Sequence, residues 1–162
     1  MTRTESPVAE LDDEPPADPA RRGRKPAEPY VLEEQVGFLM RRAQQRHIAI
    51  FQRIMGEDGP TPTQFAAMAK LGAGEEISQN QLGRMTAMDP ATIKGVIARL
   101  AERGLVERRP DPDDQRRVRL TPAGLEAMPA LTEKARAITA ATLSPLSREE
   151  AERLLALLAR LD

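Results

Sequence analysis

Between residues 30 and 55 the apolar side chains return at helical spacing. At about 100° per residue, Val36, Leu39, Met40, Ala43, His47, Ile50, Phe51 and Ile54 fall on one stripe, and Arg42, Arg46 and Arg53 gather along one flank. The pattern predicts one long amphipathic helix. The helices after it are announced by their first residues. Thr61-Pro62 sets a cap residue before a proline, whose missing N–H is harmless at the first helical position, and opens a helix to about Leu71. Ser78-Gln79-Asn80-Gln81 reads as a capping box for a short third helix. Asp89-Pro90 repeats the cap-plus-proline signal and opens a fourth helix to about Arg103, with Gly104 standing where a left-handed C-terminal residue is expected.

After Gly104 the period changes. Residues 105 to 109 and 116 to 120 read as two short strands joined by the turn-forming run PDPDDQ. Thr121-Pro122 then caps a fifth helix to about Thr142. Ser147 to Glu150 is another capping box, starting a sixth helix that carries Leu154, Leu155, Leu157, Leu158 and Leu161. Three helices and a hairpin between long flanking helices predict a mainly α fold with a small β-hairpin, a winged helix-turn-helix lobe with extra helices at both ends.

The fourth helix carries the chemistry. Ile93, Val96, Ile97 and Leu100 share its inward face, whereas Ala91, Lys94, Gly95 and Ala98 lie opposite, with Thr92 and Arg99 at the margin. A helix entering the major groove needs such a face: small residues let the backbone approach base edges, and a few long donors reach guanine O6 and N7. The cap at Asp89-Pro90 fixes the helix N-terminus, whose free N–H groups can meet a phosphate, and Pro90, itself without an N–H, is a candidate contact by its place at that end. Gly95 weighs against an idle solvated face, because glycine inside a helix costs about 1 kcal/mol relative to alanine. Close approach to DNA or to a neighbouring helix would offset that loss. Ser78, Gln79, Asn80 and Thr86 are short polar groups suited to backbone contacts, which position the protein without reading sequence. In the hairpin, alternation sets Arg117 and Arg119 on the face opposite Arg116. One set can enter an adjacent minor groove while the other pairs with Asp113, Asp114 or Glu107.

Charge supports a partner met on one side. The net charge of −1 hides nine Lys/Arg against six Asp/Glu between Arg84 and Arg119, the footprint of a polyanion-binding face. Residues 1 to 28 hold five of the 14 prolines, few large apolar residues and mixed charge, and are expected to form a disordered arm. Within it RRGRKP, Arg21 to Pro26, resembles an AT-hook, a minor-groove segment, but Lys25 interrupts the Gly-Arg-Pro core; a solubilising basic tail is the alternative reading. The four aromatic residues are too few for a platform of stacked single-strand bases. One histidine, no cysteine and no Ser-His-Asp arrangement leave an enzyme little to work with, and no cofactor or metal is expected. Asp111, Asp113 and Asp114 could attract a cation, but arginines flank them and a turn accounts for them. No apolar run nears the length of a membrane span or a secretion signal, so a cytoplasmic protein is expected. Two rivals to a sequence-specific DNA reader stand: a non-specific DNA-associated architectural protein, and a helical protein-interaction scaffold.

The runs PTPTQFAAMAKL (Pro60 to Leu71), SQNQLGRMTAMDPATIKGVIARLAERGLVERRPDPDDQRR (Ser78 to Arg117) and LTPAG (Leu120 to Gly124) together resemble MarR-type regulators over roughly residues 30 to 162. The resemblance implies a domain over 29–162: dimerisation helices at about 30–55 and 122–162, a DNA-binding lobe at about 61–121, and Asp89 to Arg103 as recognition helix. It implies a homodimer on a pseudo-palindromic double-stranded operator, and repression relieved by a small effector. Asp114 and Arg116 match the family's wing positions. Only Arg117, Val118 and Arg119 separate Arg116 from Leu120, where relatives usually have about five residues, so a short return strand is expected. The run LMRRAQQRHIAIF (Leu39 to Phe51) resembles the subgroup answering to aromatic acids or their CoA thioesters, which places the protein in aromatic catabolism. An aromatic carboxylate needs an apolar lining and a cationic fork. Met40, Phe51, Phe65, Met68 and Met128 are candidate lining, with Arg42 or Arg46 as fork and His47 as second donor. For His47 a satisfied core histidine is the competing reading, as ordinary core is for the methionines.

Overall fold

A computed structural model describes residues 29–72, 74, 76–109 and 117–161. Six helices and a three-stranded sheet follow one another as α1 (Val36–Met55), α2 (Pro62–Leu71), β1 (Ile77–Ser78), α3 (Gln79–Met85), α4 (Pro90–Glu102), β2 (Val106–Arg109), β3 (Arg117–Leu120), α5 (Pro122–Leu143) and α6 (Arg148–Leu158). The capping chemistry read from the sequence sets most of these starts. The Thr61 and Ser147 side chains accept from the N–H of Gln64 and Glu150, and each box is closed by the reciprocal side chain. Asp89 accepts from Ala91 and Thr92, and Thr121 accepts from Gly124.

Three details differ from the sequence reading. The first helix begins at Val36, not at residue 30: Leu32–Glu34 form a single 3-10 turn and Gln35 is extended. No capping residue precedes Tyr30, and the apolar stripe itself starts only at Val36. The box at Ser78 closes on one side, Ser78 Oγ accepting from Gln81 N at 3.3 Å, because Ser78 is also the last residue of a strand. That strand, β1, is the third difference. It pairs antiparallel with β3 (Ile77 opposite Val118), giving the order β1-β3-β2, and its two residues are too few to show a period.

The lobe core gathers Met68, Leu71, Leu82, Ile93, Ile97, Leu100 and Val118, all fully buried; each such side chain contributes about 1.5–3 kcal/mol of burial. A second, smaller core lies between α1 and α5, formed by Ile50, Phe51, Met55 and Ile138. Leu131 of α5 packs against both. Outside them the chain covers little. The N-terminal half of α1 exposes Val36, Leu39 and Met40, α6 exposes Leu154, Leu155, Leu157 and Leu158, and α6 has no buried residue. No described helix is long and apolar enough to cross a membrane.

Candidate nucleic-acid interface and apolar cleft

Helix α4 is seated as its pattern requires. Ile93, Val96, Ile97 and Leu100 are buried in the lobe, while Pro90, Ala91, Thr92, Lys94 and Arg99 are exposed. Gly95 and Ala98 lie between them, half-exposed. Among the described residues, a Cβ added at Gly95 would meet nothing within 4 Å. Packing against a neighbouring helix of this chain therefore does not account for the glycine. At the helix start, Asp89 Oδ1 accepts from the N–H of Ala91 and Thr92 at 2.9 Å each, so these two N–H groups, expected to be free for a phosphate, are taken by the cap itself. The Thr92 hydroxyl donates to Asp89 Oδ2. The hydrogen bonds from Thr92 lead in holding this carboxyl below the usual carboxylate range.

The turn before α4 is tight. Ala87 adopts φ 52, in the left-handed region, and Met88 N donates to Gly83 O at 2.9 Å. Gly83 makes this closure possible: a Cβ there would lie 3.1 Å from Met88 O and 3.2 Å from Ile93 Cγ2. Of the flanking polar candidates, Asn80 is exposed, and Ser78 and Gln79 are half-buried. The Thr86 hydroxyl donates to Leu82 O at 2.7 Å, so its proton is occupied in ending α3.

The wing has its own electrostatics. Glu107, Arg109 and Arg119 share the outer face of the sheet with Glu76 at its edge. Arg119 donates to Glu107, and Arg109 lies 3.6 Å from Glu107 and 3.7 Å from Glu76. The bond from Arg119, with its positive charge, holds the Glu107 carboxyl below its ordinary value. Arg119 thus anchors the wing's base. Arg117 Nη1 donates to Glu76 O at 3.3 Å. Strands β2 and β3 match residue for residue over four pairs, from Val106 opposite Leu120 to Arg109 opposite Arg117. Arg116, the acidic turn and the reach of the wing lie outside the described residues, as does the Arg21 to Pro26 segment.

The residues expected to bind an effector are dispersed. Met40 and His47 meet in an apolar cleft of about 360 Å³ between α1, α5 and α6, with Ala43, Gln44, Thr139, Thr142 and the α6 leucines 154, 155 and 158. His47 Nδ1 lies 3.0 Å from Thr142 Oγ1. Arg46 donates to the carbonyls of Ala141 and Thr142, near the end of α5. Arg42 stacks instead near Phe38, 5.9 Å from the ring centre. Phe51 belongs to the α1–α5 core, with Phe65 packed beside it, and Met68 is wholly inside the lobe core. Met128 lines a separate, open cleft of about 740 Å³ between α2 and α5, together with Thr132, Glu133 and Arg136. A helical stripe of large apolar residues does not say which element will cover it, and the expected lining is divided among two cores and two clefts.

Four residues that shape the interface carry no reading in the sequence: Gly83, Glu76, Gln64 and Arg103. Gly83 has a legible signal, a glycine inside a helix, the same one that draws attention to Gly95. Gln64 also has one, the Thr-x-x-Gln spacing of a capping box with Thr61, but its bond to Arg103, like the contacts of Glu76, joins segments dozens of residues apart.

A capped helix with a small, open outer face, behind it a tight turn and a short helix, and beside it a hairpin rich in arginine define a winged helix-turn-helix DNA-binding protein. The sequence pattern of the MarR family matches residues 61–118. The repressor NicR of Pseudomonas putida is 39% identical over 135 residues, covering 82% of this chain and 85% of NicR. The chain belongs to the MarR family. Among solved structures, a probable transcriptional regulator from Pseudomonas aeruginosa is 49% identical with a TM-score of 0.76, covering 82% of this chain and 100% of that one. BpsR of Bordetella bronchiseptica, whose DNA binding is regulated by 6-hydroxynicotinic acid, is 37% identical with a TM-score of 0.78, over 82% of this chain and 96% of BpsR.

Proposed function

We propose that the protein is a cytoplasmic, homodimeric repressor of aromatic-compound catabolism genes, released from its operator by an aromatic acid or the CoA thioester of one. Helix α4 enters the major groove, Lys94 and Arg99 read base edges, and Ser78, Gln79 and Asn80 position the lobe on phosphates. The observation that carries this reading is the outer face of α4, where no described residue meets Gly95. The exposed leucines of α6 and the apolar N-terminal half of α1 supply the dimer surface. The likeness to NicR supports repression, and the likeness to BpsR supports the effector class, which extends to hydroxylated nitrogen heteroaromatics. The α1–α5–α6 cleft offers the apolar wall, with His47 among its lining residues; Arg46, one expected fork, is bonded to the Ala141 and Thr142 carbonyls. The effector acts by favouring a spacing of the two lobes that no longer matches successive major grooves, and it releases DNA only as far as its affinity differs between those states.

Fluorescence anisotropy on duplexes selected by the protein from a random library tests this reading at two salt concentrations. Strong preference for one palindromic duplex is expected, weakened by 6-hydroxynicotinic acid, a benzoic acid or an aryl-CoA, and reduced about tenfold or more by Lys94→Ala or Arg99→Ala. Equal, salt-dependent binding to every duplex would leave a non-specific DNA-associated protein. Sedimentation of the free protein checks the dimer, and a monomer at micromolar concentration would count against it.

A further inference from the structure

The end of the recognition helix is tied to the loop that follows α1. Arg103, the C-terminal cap of α4, extends its guanidinium back across the lobe. Its Nη1 donates to Gly59 O at 3.4 Å and to Gln64 Oε1 at 3.3 Å, and its Nη2 donates to Asp58 O. Gln64 is a buried polar side chain, and the same oxygen accepts from Thr61 N at 3.1 Å in the box that starts α2. One acceptor therefore serves the start of α2 and the end of α4.

The loop has little slack. Gly56 sits at φ 86, Gly59 N donates back to Gly56 O at 3.1 Å, and a Cβ on Gly59 would lie 2.7 Å from Met55 O. From the other side, Lys134 of α5 donates to Met55 O at 3.0 Å. The last carbonyl of α1 is thus held by α5, and carbonyls just beyond it by α4.

The partners of Arg103 in this tie are two backbone carbonyls and one amide oxygen. A carboxylate on a flexible stem can follow a moving cation; a carbonyl in a folded-back loop cannot. A planar fork aimed at such fixed acceptors sets position, which is where arginine and lysine differ most. The two cores are joined by Leu131 of α5 and by α2, whose Phe65 packs on one and whose Met68 lies in the other; the Arg103 tie lies outside both and links the end of α4 to the loop after α1 directly.

We infer that Arg103 is a positioning residue for DNA recognition: it fixes the angle at which α4 is presented relative to α1, and with it the half-site spacing that the dimer accepts. This rests on the proposed reading of α4 as the groove helix. Arg103 touches no base. It passes any movement of α1 to the end of α4, and the route runs through the short loop that holds Asp58 and Gly59.

The test compares two duplexes, the one the parent protein selects from a random library and the same duplex with one base pair inserted at its centre. The insertion moves the half-sites apart and rotates one about the helix axis. The parent should discriminate strongly. Arg103→Met, which keeps the apolar stem, should narrow the ratio of the two affinities by about tenfold, with Arg103→Lys intermediate. Lys134→Met should keep the parental ratio, because it leaves the tie to α4 in place. A purely stabilising role would weaken both duplexes alike and leave every ratio unchanged. An unchanged ratio in Arg103→Met, with parental helix content, overturns the inference. So does an equal narrowing in Lys134→Met, which would mark a general loosening. Should Arg103→Met fail to fold, Arg103→Lys alone decides, and an unchanged ratio there overturns the inference equally. Selection of no duplex by the parent is a different failure, and it removes the proposed function itself.

Discussion

Replacing Gly95 with leucine is expected to abolish sequence-specific DNA binding while leaving the protein at least as resistant to heat as the parent. The two effects separate because of where Gly95 sits. It lies in the interior of α4, on the side away from Ile93, Val96, Ile97 and Leu100, and no described residue lies within 4 Å of an added Cβ. In the free protein, glycine brings only its conformational entropy, so Gly95→Ala should stabilise by up to about 1 kcal/mol. Leucine at the same place is also a good helix former. On DNA the sign reverses. A branched side chain between Ala91 and Ala98 holds the backbone off the groove floor, and each base edge the helix then fails to reach costs about 1–3 kcal/mol of discrimination. Specific affinity should fall by about a hundredfold or more. Thermal melts and anisotropy on the selected duplex read the two effects apart. If Gly95→Leu bound with parental affinity, the outer face of α4 would not be in the groove.

The second large effect is expected at Gly124, where a single methyl group should undo the lobe. A Cβ on Gly124 would lie 2.1 Å from Leu105 O, a backbone atom that cannot swing aside. The crowding follows from how the chain crosses itself. Leu105 O accepts from Thr121 N at 3.1 Å, the Thr121 hydroxyl donates to Gly104 O, and Gly124 N donates to Thr121 Oγ1 at 3.1 Å. The first turn of α5 thus rests on the chain just as it leaves α4, closing the base of the wing. Gly124→Ala must push these segments apart or strain their hydrogen bonds, with an expected loss of about 3 kcal/mol. Urea unfolding at matched protein concentration should show a lower midpoint with an unchanged slope. Gly37→Ala, an exposed glycine with open space around it, serves as the contrast. A parental midpoint for Gly124→Ala would show that the lobe can relax around the methyl group.

The difference between these two glycines shows what the chain displays in its sequence. Gly95 is legible because its neighbours at helical spacing say which side it faces. Gly124 belongs to the run LTPAG, which marks the family by resemblance, but its physical task appears only when Leu105 is seen against it. Caps at Thr61, Asp89, Thr121 and Ser147 are readable because a side chain and an N–H two or three residues away complete them. The faces of α4 are readable for the same reason, a short period repeated over 13 residues. Contacts between distant segments are not. Arg103 meets Asp58 from 45 residues away, and Glu76 meets Arg119 across the sheet. The expected effector lining is dispersed on similar grounds. Met68 and Phe51 follow the apolar pattern faithfully, and that pattern takes them into two different cores instead of one cleft.

The exposed face of α6 bears on how long such a regulator persists in a cell. A helix of 11 residues with none buried in its own chain has little stabilising contact to offset its ordering, and isolated helices shorter than about 12–15 residues are marginal in water. Its structure must then be supplied by association, which makes the folded population a function of protein concentration. As copy number falls, α6 is the helix that loses most of its support, and a helix without packing opens locally and becomes accessible to proteases. Repressor abundance would then decay faster than dilution alone dictates, giving the gene it controls a sharper release than the loss of a few molecules would suggest.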